Sequence, residues 1–410
     1  MEISIRKILT KTYSLYTFLF VAIFCSQLIN VRILNIMYML TQKVCIFILV
    51  LLLFRSVLKQ QMLRKLFFWI ISMSLVLFLV FYSNDGVLDL IVMFIFIFSM
   101  GKLSFDEIIK IDLKVKLFAC CLVIALSFLG IIDSQITYSS RGVLRTSLGF
   151  IHANILSLIV LNICFDWIYL RFYKLKWFEY IFIFFIAFIL YFTTNSLTSI
   201  SALFFLVAFN IIVKCVKKLN IGYTVLNVLM FMVVPMAFLF SLYIAVSYSP
   251  SNNFLMTLNE LWTGRVASVH DFYDEYGVSF FGQSIEMIST AQAAEQGVSP
   301  HVLDNGYMRL LLRFGMVVTV ILLGMLIKLN FQLLCNKRYA LVACLNSYCI
   351  IGLMESSFYR IEYNPFLLAL IYAFGKGSFY NSSEKNNSNI TKKLNTLIST
   401  SRGSLKRSLK

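Results

Sequence analysis

The sequence predicts an all-α polytopic membrane protein, and two observations lead to this class. First, 60% of the 410 residues are hydrophobic and only 13% are charged, with a mean hydropathy of +0.84, whereas a soluble domain carries about 25% charged residues. Second, apolar runs such as 91–98 lack the alternation of barrel strands. Because backbone amides in lipid must be satisfied within the structure, these runs are expected to be helices.

Runs of mostly apolar residues define the predicted spans, since a helix needs about 17–25 such residues to cross a bilayer. Twelve candidates occur, some of them short, so we expect 10–12 transmembrane helices. In chain order the candidates are 13–31, 33–54, 66–82, 87–100, 117–132, 152–170, 178–193, 199–213, 221–246, 306–327, 340–354 and 364–379. The first follows a basic segment without a small-residue cleavage site, which predicts a retained helix and not a removed signal peptide.

The positions of the 36 Lys and Arg, which give a net charge of +17, predict the orientation. Most of them lie in alternate connecting segments and at the two ends of the chain, and the positive-inside rule assigns these to the cytoplasm. Residues 1–380 then form a membrane domain with external loops 133–150 and 247–305. The tail 381–410 is predicted to be a disordered, basic cytoplasmic segment that attracts anionic membrane lipids. Since topology accounts for the charge, no nucleic-acid partner is expected.

The cations predicted on the external face are all arginine. Guanidinium groups bind phosphate and carboxylate groups in a bidentate manner and stay charged, so this set points to an anionic substrate. The alternative is that these arginines pair with external acids such as Asp271, Asp274, Glu275 and Glu286. The arginines are Arg32, Arg141, Arg145, Arg265, Arg309, Arg313 and Arg360.

Two external stretches concentrate the polar chemistry. The first, 133–150, runs directly into His152 and Asn154. The second, 247–305, precedes the third-last predicted span and is long enough to be functional; within it, 254–275 predicts one amphipathic helix. Two short polar segments, 193–198 and 355–364, are expected on the same face, where each is also compatible with an ordinary turn.

A predicted helix begins at the end of the long loop. Asp304 or Asn305 is expected to cap it, and Asp304 is equally open to a role as a catalytic carboxylate. Arg309 and Arg313 are four residues apart, which puts both guanidinium groups on one helix face. Such a pair at a membrane boundary requires an anion, an acid or water, with snorkelling to the interface as the alternative.

The sequence offers no metal, redox or nucleotide motif. None of the nine cysteines falls in a predicted external loop, and the three histidines are too few and too scattered for a zinc site. There is no P-loop and no GxGxxG segment, so ATP-driven transport by this chain alone is not expected. No cofactor and no metal are therefore predicted.

Several short motifs follow one another between about 140 and 370. In order they are an Arg…Gly-Phe-x-His-x-Asn segment (Arg141 or Arg145, Gly149, Phe150, His152, Asn154), a polar turn with Ser196, Thr-Gly-Arg (Thr263, Gly264, Arg265), Asp-Asn-x-Tyr-x-x-Leu-Leu-x-x-x-Gly (Asp304, Asn305, Tyr307, Leu310, Leu311, Gly315), and Glu355 with Asn364. In this order and placement the chain resembles the Wzy-type polysaccharide polymerases of the O-antigen ligase and polymerase family. The order of the motifs is more specific than any one of them.

The chain departs from the family pattern at three places. The usual Pro between His and Asn is Ala153, and the turn that often reads Ser-Arg is Ser196-Leu197. In the ligases a His tends to precede the Asn of the later motif, whereas here that residue is Asp304, with His301 three residues earlier. The last departure favours a polymerase over a ligase and leaves the general base open between Asp304 and His301.

The resemblance implies a metal-independent glycosyltransferase in the bacterial cytoplasmic membrane. It would polymerise oligosaccharide repeat units linked to undecaprenyl diphosphate into capsular polysaccharide, exopolysaccharide or O-antigen on the external face. The chain-length regulator and the flippase of the same pathway are the protein partners it suggests. Asp304 and His301 are the candidate catalytic residues. The residues expected to bind the diphosphate or the glycan are Arg141, Arg145, His152, Asn154, Arg265, Asn305, Tyr307, Arg309, Arg313 and Glu355.

Two other classes remain open from the sequence. A flippase or transporter of the same lipid-linked units would also need spanning helices and cations, but it usually has its site near the midplane. Here few charges lie deep in the predicted spans, with Lys43 and Asp166 as the exceptions. A non-catalytic scaffold would not need the external arginines.

Overall fold

The computed structural model describes residues 2–58, 87–138, 142–219, 224–288, 293, 297–298 and 300–374. The third predicted span (66–82), the predicted tail (381–410) and Arg141 lie outside these residues. The described helices before the long loop are α1 (Glu2–Leu19), α2 (Arg32–Leu58), α3 (Val87–Met100), α4 (Phe105–Phe128), α5 (Ala153–Arg171), α6 (Trp177–Thr194), α7 (Leu197–Leu219) and α8 (Thr224–Ser247).

The long loop and the last part of the chain are also mainly helical. The loop carries α9 (Asn253–Leu261) and α10 (Arg265–Tyr276), and it is followed by α11 (Gly306–Cys335) and α12 (Tyr339–Ile351). Two 3₁₀ segments, Ser356–Tyr359 and Pro365–Phe374, complete the described chain. The last predicted span, 364–379, therefore starts as a 3₁₀ helix within the described residues.

The prediction of a mostly helical, multi-pass membrane protein is confirmed in part, and the expected 10–12 spans and their orientation stay predictions. Six of the described helices are long and apolar enough to cross a membrane, while α3 and α12 are apolar but shorter. Helix α4 has sufficient length, but Asp112, Lys114 and Lys116 lie in its sequence. The six helices contain the segments Arg32–Leu52, Ala153–Arg171, Trp177–Thr194, Leu197–Val216, Thr224–Ser247 and Gly306–Cys335.

Helix packing forms one large apolar core and a smaller second core. Helices α4 and α5 pack together, as do α8 with α11 and α7 with α12, and their apolar side chains form one continuous cluster. A second cluster, which includes Leu255, Phe272, Leu303 and Met308, lies where α9 and α10 meet the end of α8 and the start of α11. The long loop is therefore a packed structure and not a free segment.

The single amphipathic helix predicted over 254–275 is wrong, because two helices occupy this stretch. The chain breaks at Thr263 and Gly264, whose φ angles are 56° and 88°, a left-handed region that favours glycine. The Asn259 side chain then accepts a hydrogen bond of 2.9 Å from the backbone nitrogen of Ala267 in the new helix. This break places Arg265 at the first position of α10.

The stretch 133–150, which the sequence predicts to be external, contains a two-stranded antiparallel hairpin, β1 (Ile136–Tyr138) and β2 (Leu144–Thr146). Its return to the bundle passes through Gly149, where φ is 86°. A Cβ at this position would clash with the side chains of Ile132 and Ser127, so glycine is required. The hairpin holds Arg145 above the start of α5.

Helix α11 is broken at Gly315, where φ is 83°. The long loop satisfies the backbone groups that the break releases: Met316 N donates to Ser279 O at 2.9 Å, and Gln283 N donates to Arg313 O at 3.0 Å. A Cβ on the glycine would clash with the backbone of the loop. The loop is therefore anchored in the kink, which fixes it against the residues at the start of α11.

Candidate functional site

Arg265 is the centre of the polar cluster at this end of the helices. Its Nε lies 3.1 Å from Asp304 Oδ2, and its Nη1 lies 3.0 Å from Glu355 Oε1. Nη1 also donates to the carbonyl oxygen of Met354. Burial alone would lower the pKa of Arg265, but Glu355 and Asp304 outweigh it and raise the pKa. The guanidinium thus joins three separate segments: the long loop, the start of α11 and the turn after α12.

Asn305, and not Asp304, caps α11. The Asn305 Oδ1 accepts a hydrogen bond of 2.9 Å from Met308 N, and its Nδ2 donates to Ser241 Oγ and to Leu353 O, both at 3.0 Å. Of the two capping residues that the sequence left open, the structure therefore selects Asn305. Asp304 is free of that role and is 31% exposed beside Arg265.

Arg145 adds a second guanidinium close to the first. Its Nη1 donates to Asn154 Oδ1 at 3.4 Å, while its Nε has no hydrogen-bond partner among the described residues. Burial, followed by the positive charge of Arg265, lowers the pKa of Arg145. Two guanidinium groups that repel each other, one with an unused donor, favour an anion between them.

His152 is the N-cap of α5 and faces the same cluster. Its Nδ1 accepts a hydrogen bond of 3.1 Å from Asn154 N, so in the neutral ring the proton is on Nε2. Burial is the main cause that lowers the pKa of His152; Arg145 acts in the same direction and Asp304 opposes it. His152 is therefore a neutral donor and not a general base in this arrangement.

Glu355 is the second carboxylate of the cluster, with 14% of its side chain exposed. Burial raises its pKa; Arg265 opposes this effect, and the negative charge of Asp304 adds to it. The sequence assigned Glu355 to substrate binding because of its place before the last predicted span. Its contact with Arg265 makes it a second candidate for proton transfer, which the sequence alone did not indicate.

A cavity of about 370 Å³ opens beside these residues. One wall carries the two guanidinium groups, and another is formed by the start of α7, whose free backbone amides favour an anion. The apolar lining residues are Leu197, Ile200, Phe204, Leu261 and Met354. The polar lining residues are Arg145, Asn154, Asn195, Ser196, Thr198, Ser201, Trp262, Thr263 and Arg265.

The contacts of His301 are with residues outside the Arg265 cluster. It pairs with Ile288 in an isolated β-bridge, its Nε2 is 3.2 Å from Glu275 Oε2, and its ring stacks on Phe272 with centroids 4.0 Å apart. Of the two general bases that the sequence left open, only Asp304 contacts an arginine of the cluster.

Three other predicted binding residues have different surroundings. Tyr307 is fully buried, and its hydroxyl donates to Cys349 O at 2.7 Å, so its side chain packs the core and does not line the cavity. Arg313 is 7% exposed beside Phe314. Arg309 is half-buried, and its Nη1 donates to Ser356 Oγ at 3.0 Å.

A larger cavity of about 660 Å³ lies at the opposite ends of α5 and α11. Its lining includes Lys110, Arg171, Lys174, Lys337 and Arg338. None of the predicted site residues takes part in it. The chemistry expected from the sequence is therefore concentrated at the Arg265 end of the helices.

Comparison with models of protein families, with curated proteins and with solved structures found no match to this chain. The site is therefore interpreted from its own geometry. Two guanidinium groups line a cavity with both polar and apolar walls, and the carboxyl groups of Asp304 and Glu355 contact one of these guanidinium groups, that of Arg265. Such a set can bind an anionic group and accept a proton from a neighbouring hydroxyl.

Proposed function

We propose that this chain is a Wzy-type polymerase, a membrane glycosyltransferase that joins lipid-diphosphate-linked oligosaccharide repeat units. The observation that carries the proposal is the Arg265 cluster, in which a guanidinium contacts two carboxylates beside a second guanidinium. A diphosphate leaving group gains negative charge as its bond to the sugar breaks, and fixed guanidinium groups stabilise that charge. The substrate class follows from this chemistry together with the order of the sequence motifs.

The reaction we propose is a single displacement. The acceptor hydroxyl oxygen forms a bond to C1 of the donor sugar while the bond from C1 to the diphosphate oxygen breaks. The hydroxyl proton passes to Asp304, or to Glu355 as the second candidate, and the diphosphate leaves on the lipid. Arg145 and Arg265 bind the diphosphate, and inversion at C1 is the expected outcome. No metal, cofactor or nucleotide takes part in these steps.

The walls of the cavity agree with a substrate that is both charged and lipid-attached. The guanidinium groups and the start of α7 suit the diphosphate, whereas Leu197, Phe204 and Leu261 suit the first part of an isoprenoid chain. Phe204 is 48% exposed and Leu261 58% exposed, so these side chains have apolar surface available for a ligand.

Orientation is the first part of this proposal that can be tested. We propose 10–12 spans, both termini in the cytoplasm and the Arg265 cluster outside, in the bacterial cytoplasmic membrane. The two substitutions are made separately in a cysteine-free variant of the protein, expressed in intact cells. Asp271→Cys is expected to react with an impermeant thiol reagent, and Lys385→Cys is expected to react only after the cells are opened. Labelling of residue 385 from outside, or protection of residue 271, would contradict the orientation.

The reaction itself can be tested by reconstitution. Purified protein in liposomes, given defined lipid-linked repeat units without nucleotide or divalent metal, is expected to lengthen the glycan. In cells, deletion of the gene is expected to leave single repeat units on lipid or on the final acceptor, since the units are still assembled and exported. Absence of elongation in the liposomes, with the protein folded and the substrate intact, would contradict the proposal.

A transporter of the same units is the second candidate, and one observation favours it. Asp112 and Lys116 are fully buried among the helices beside Asp166, so two more ionisable side chains join the one exception that the sequence indicated there. If the chain is a flippase, deletion traps lipid-linked units in the inner leaflet. If it is a ligase, the liposome product is a glycan moved to a different acceptor and not a longer glycan on lipid. The chain-length regulator and the flippase remain proposed partners.

A further inference from the structure

Three ionisable side chains are buried between α4 and α5, away from the Arg265 cluster. Lys116 Nζ lies 2.6 Å from Asp112 Oδ2, and these side chains are 0% and 1% exposed. The Tyr13 hydroxyl donates to the other oxygen of Asp112 at 2.7 Å. Asp166 of α5 is also 0% exposed and lies beside both Asp112 and Lys116. Ionisable groups in such a position are costly and mark functional sites in membrane proteins.

The carboxyl group of Asp166 is not satisfied by the surrounding protein. Neither of its oxygens accepts a hydrogen bond from a donor among the described residues, and the side-chain contact that it makes is with the carboxyl group of Asp112. The titratable or charged groups that face it are Tyr13 from α1, Asp112 and Lys116 from α4, Cys164 from α5 itself, and Cys344 and Tyr348 from α12. An ionised carboxylate here would be buried without a donor, which is strongly unfavourable.

Charge balance also indicates that the three side chains are not all ionised together. Two carboxylates and one ammonium leave one uncompensated negative charge in an apolar interior, where the cost of an unpaired ion is high. One added proton makes the group neutral and turns Asp166 into a donor for the neighbouring Asp112. We propose that Asp166 and Asp112 share one proton and form a buried proton-binding site. This site is separate from the proposed transfer reaction.

The position of this group indicates the side from which the proton exchanges. Asp112 is seven residues after the start of α4, and Asp166 is five residues before the end of α5, which correspond to about 10 Å and 8 Å along the helices. Both of those helix ends line the 660 Å³ cavity. Asp106 and Tyr169 belong to its lining, and Tyr169 donates to Asp106 at 2.7 Å. The proton is therefore expected to exchange through this cavity and not through the Arg265 end.

Infrared spectroscopy of the purified full-length protein tests the proposal, because a protonated carboxyl group has its own carbonyl band. Labelling aspartate with heavy carbon separates this band from those of buried glutamates. At neutral pH the wild type is expected to show one protonated aspartate. Asp166→Asn and Asp112→Asn should each lose the band, since the remaining carboxylate then balances Lys116. Lys116→Met should double the band, since both carboxyl groups then become neutral.

The control is Asp271→Asn, which changes an exposed carboxylate on α10 and should leave the band unchanged. A wild-type spectrum without a protonated aspartate would overturn the proposal without any variant. A Lys116→Met spectrum equal to the wild type, from protein that elutes as a single folded species, would also overturn it. A band seen only when sodium is omitted would mean that the group binds a metal cation instead, again against the proposal. The infrared band does not depend on elongation activity, so a failure of the proposed polymerase function would leave this test valid.

Discussion

Replacing Arg265 by lysine is expected to reduce polymer formation by about 100-fold or more, the range typical of removing one fixed donor to developing charge. Arg265 contacts Asp304 through Nε and Glu355 through Nη1. The lysine ammonium keeps the charge but is a single point on a flexible stem. It cannot hold both carboxylates and present a planar face to a diphosphate. Glycan length in cells that make normal amounts of the variant provides the measurement.

A matched control is needed because Arg265 also joins three segments of the fold. Arg360 is another arginine between two carboxylates, with Nη2 3.5 Å from Asp89 and Nε 3.9 Å from Glu362, but it does not line the 370 Å³ cavity. Arg360→Lys is expected to keep most of the polymer. Arg32→Lys, at the exposed start of α2, should have almost no effect. Equal loss in all three variants would indicate that arginine serves only to hold the fold.

Arg145 and Arg309 provide a graded comparison. Arg145 lines the cavity, so Arg145→Lys should also cause a severe loss. Arg309 donates to Ser356 and does not line the cavity, so Arg309→Lys should cause a smaller loss than Arg145→Lys. A larger loss in Arg145→Lys than in Arg309→Lys would show that an arginine must line the cavity, and that belonging to the arginines predicted on the external face is not sufficient.

Sequence patterns predicted the class of fold well because hydrophobic composition alone determines it. They were less successful where one residue changes the backbone. Thr263 and Gly264 in left-handed conformation divide a stretch whose apolar spacing fits one helix. Gly315 breaks α11 in a run that is apolar throughout. In both cases the periodicity of apolar residues indicates which side of a helix is apolar. It does not indicate where the backbone leaves the helical conformation.

For the site, too, the sequence predicted some features and missed others. The order of the motifs grouped Arg265, Asp304 and Glu355 as expected site residues, and in the structure Arg265 contacts both carboxylates. The motif order did not indicate that Tyr307 is fully buried. A tyrosine that packs in the core and a tyrosine that binds substrate look the same in a sequence motif. The Asp112 and Lys116 pair precedes the predicted span 117–132, so the sequence did not predict that it is buried. Its burial depends on contacts with α5 that no local pattern contains.

Replacing Asp304 by asparagine is expected to lower the rate of elongation by about 100-fold to 10,000-fold, the usual contribution of a general base. Asparagine keeps the shape and an oxygen for Arg265 Nε, and the cap of α11 is unaffected because Asn305 provides it. His301→Ala should retain most of the activity, since His301 contacts Glu275 and Phe272 instead of the Arg265 cluster.

Glu355→Gln decides between the two carboxylates. Because burial raises the pKa of Glu355, this group takes up a proton at a pH above the usual carboxyl range as the pH falls. If Glu355 is the base, elongation in liposomes falls in that same range, and Glu355→Gln is the variant with the larger loss. If Asp304 is the base, as we expect, Asp304→Asn has the larger loss and Glu355→Gln mainly weakens binding of the donor. Full activity of both variants would exclude a carboxylate base and with it the proposed displacement.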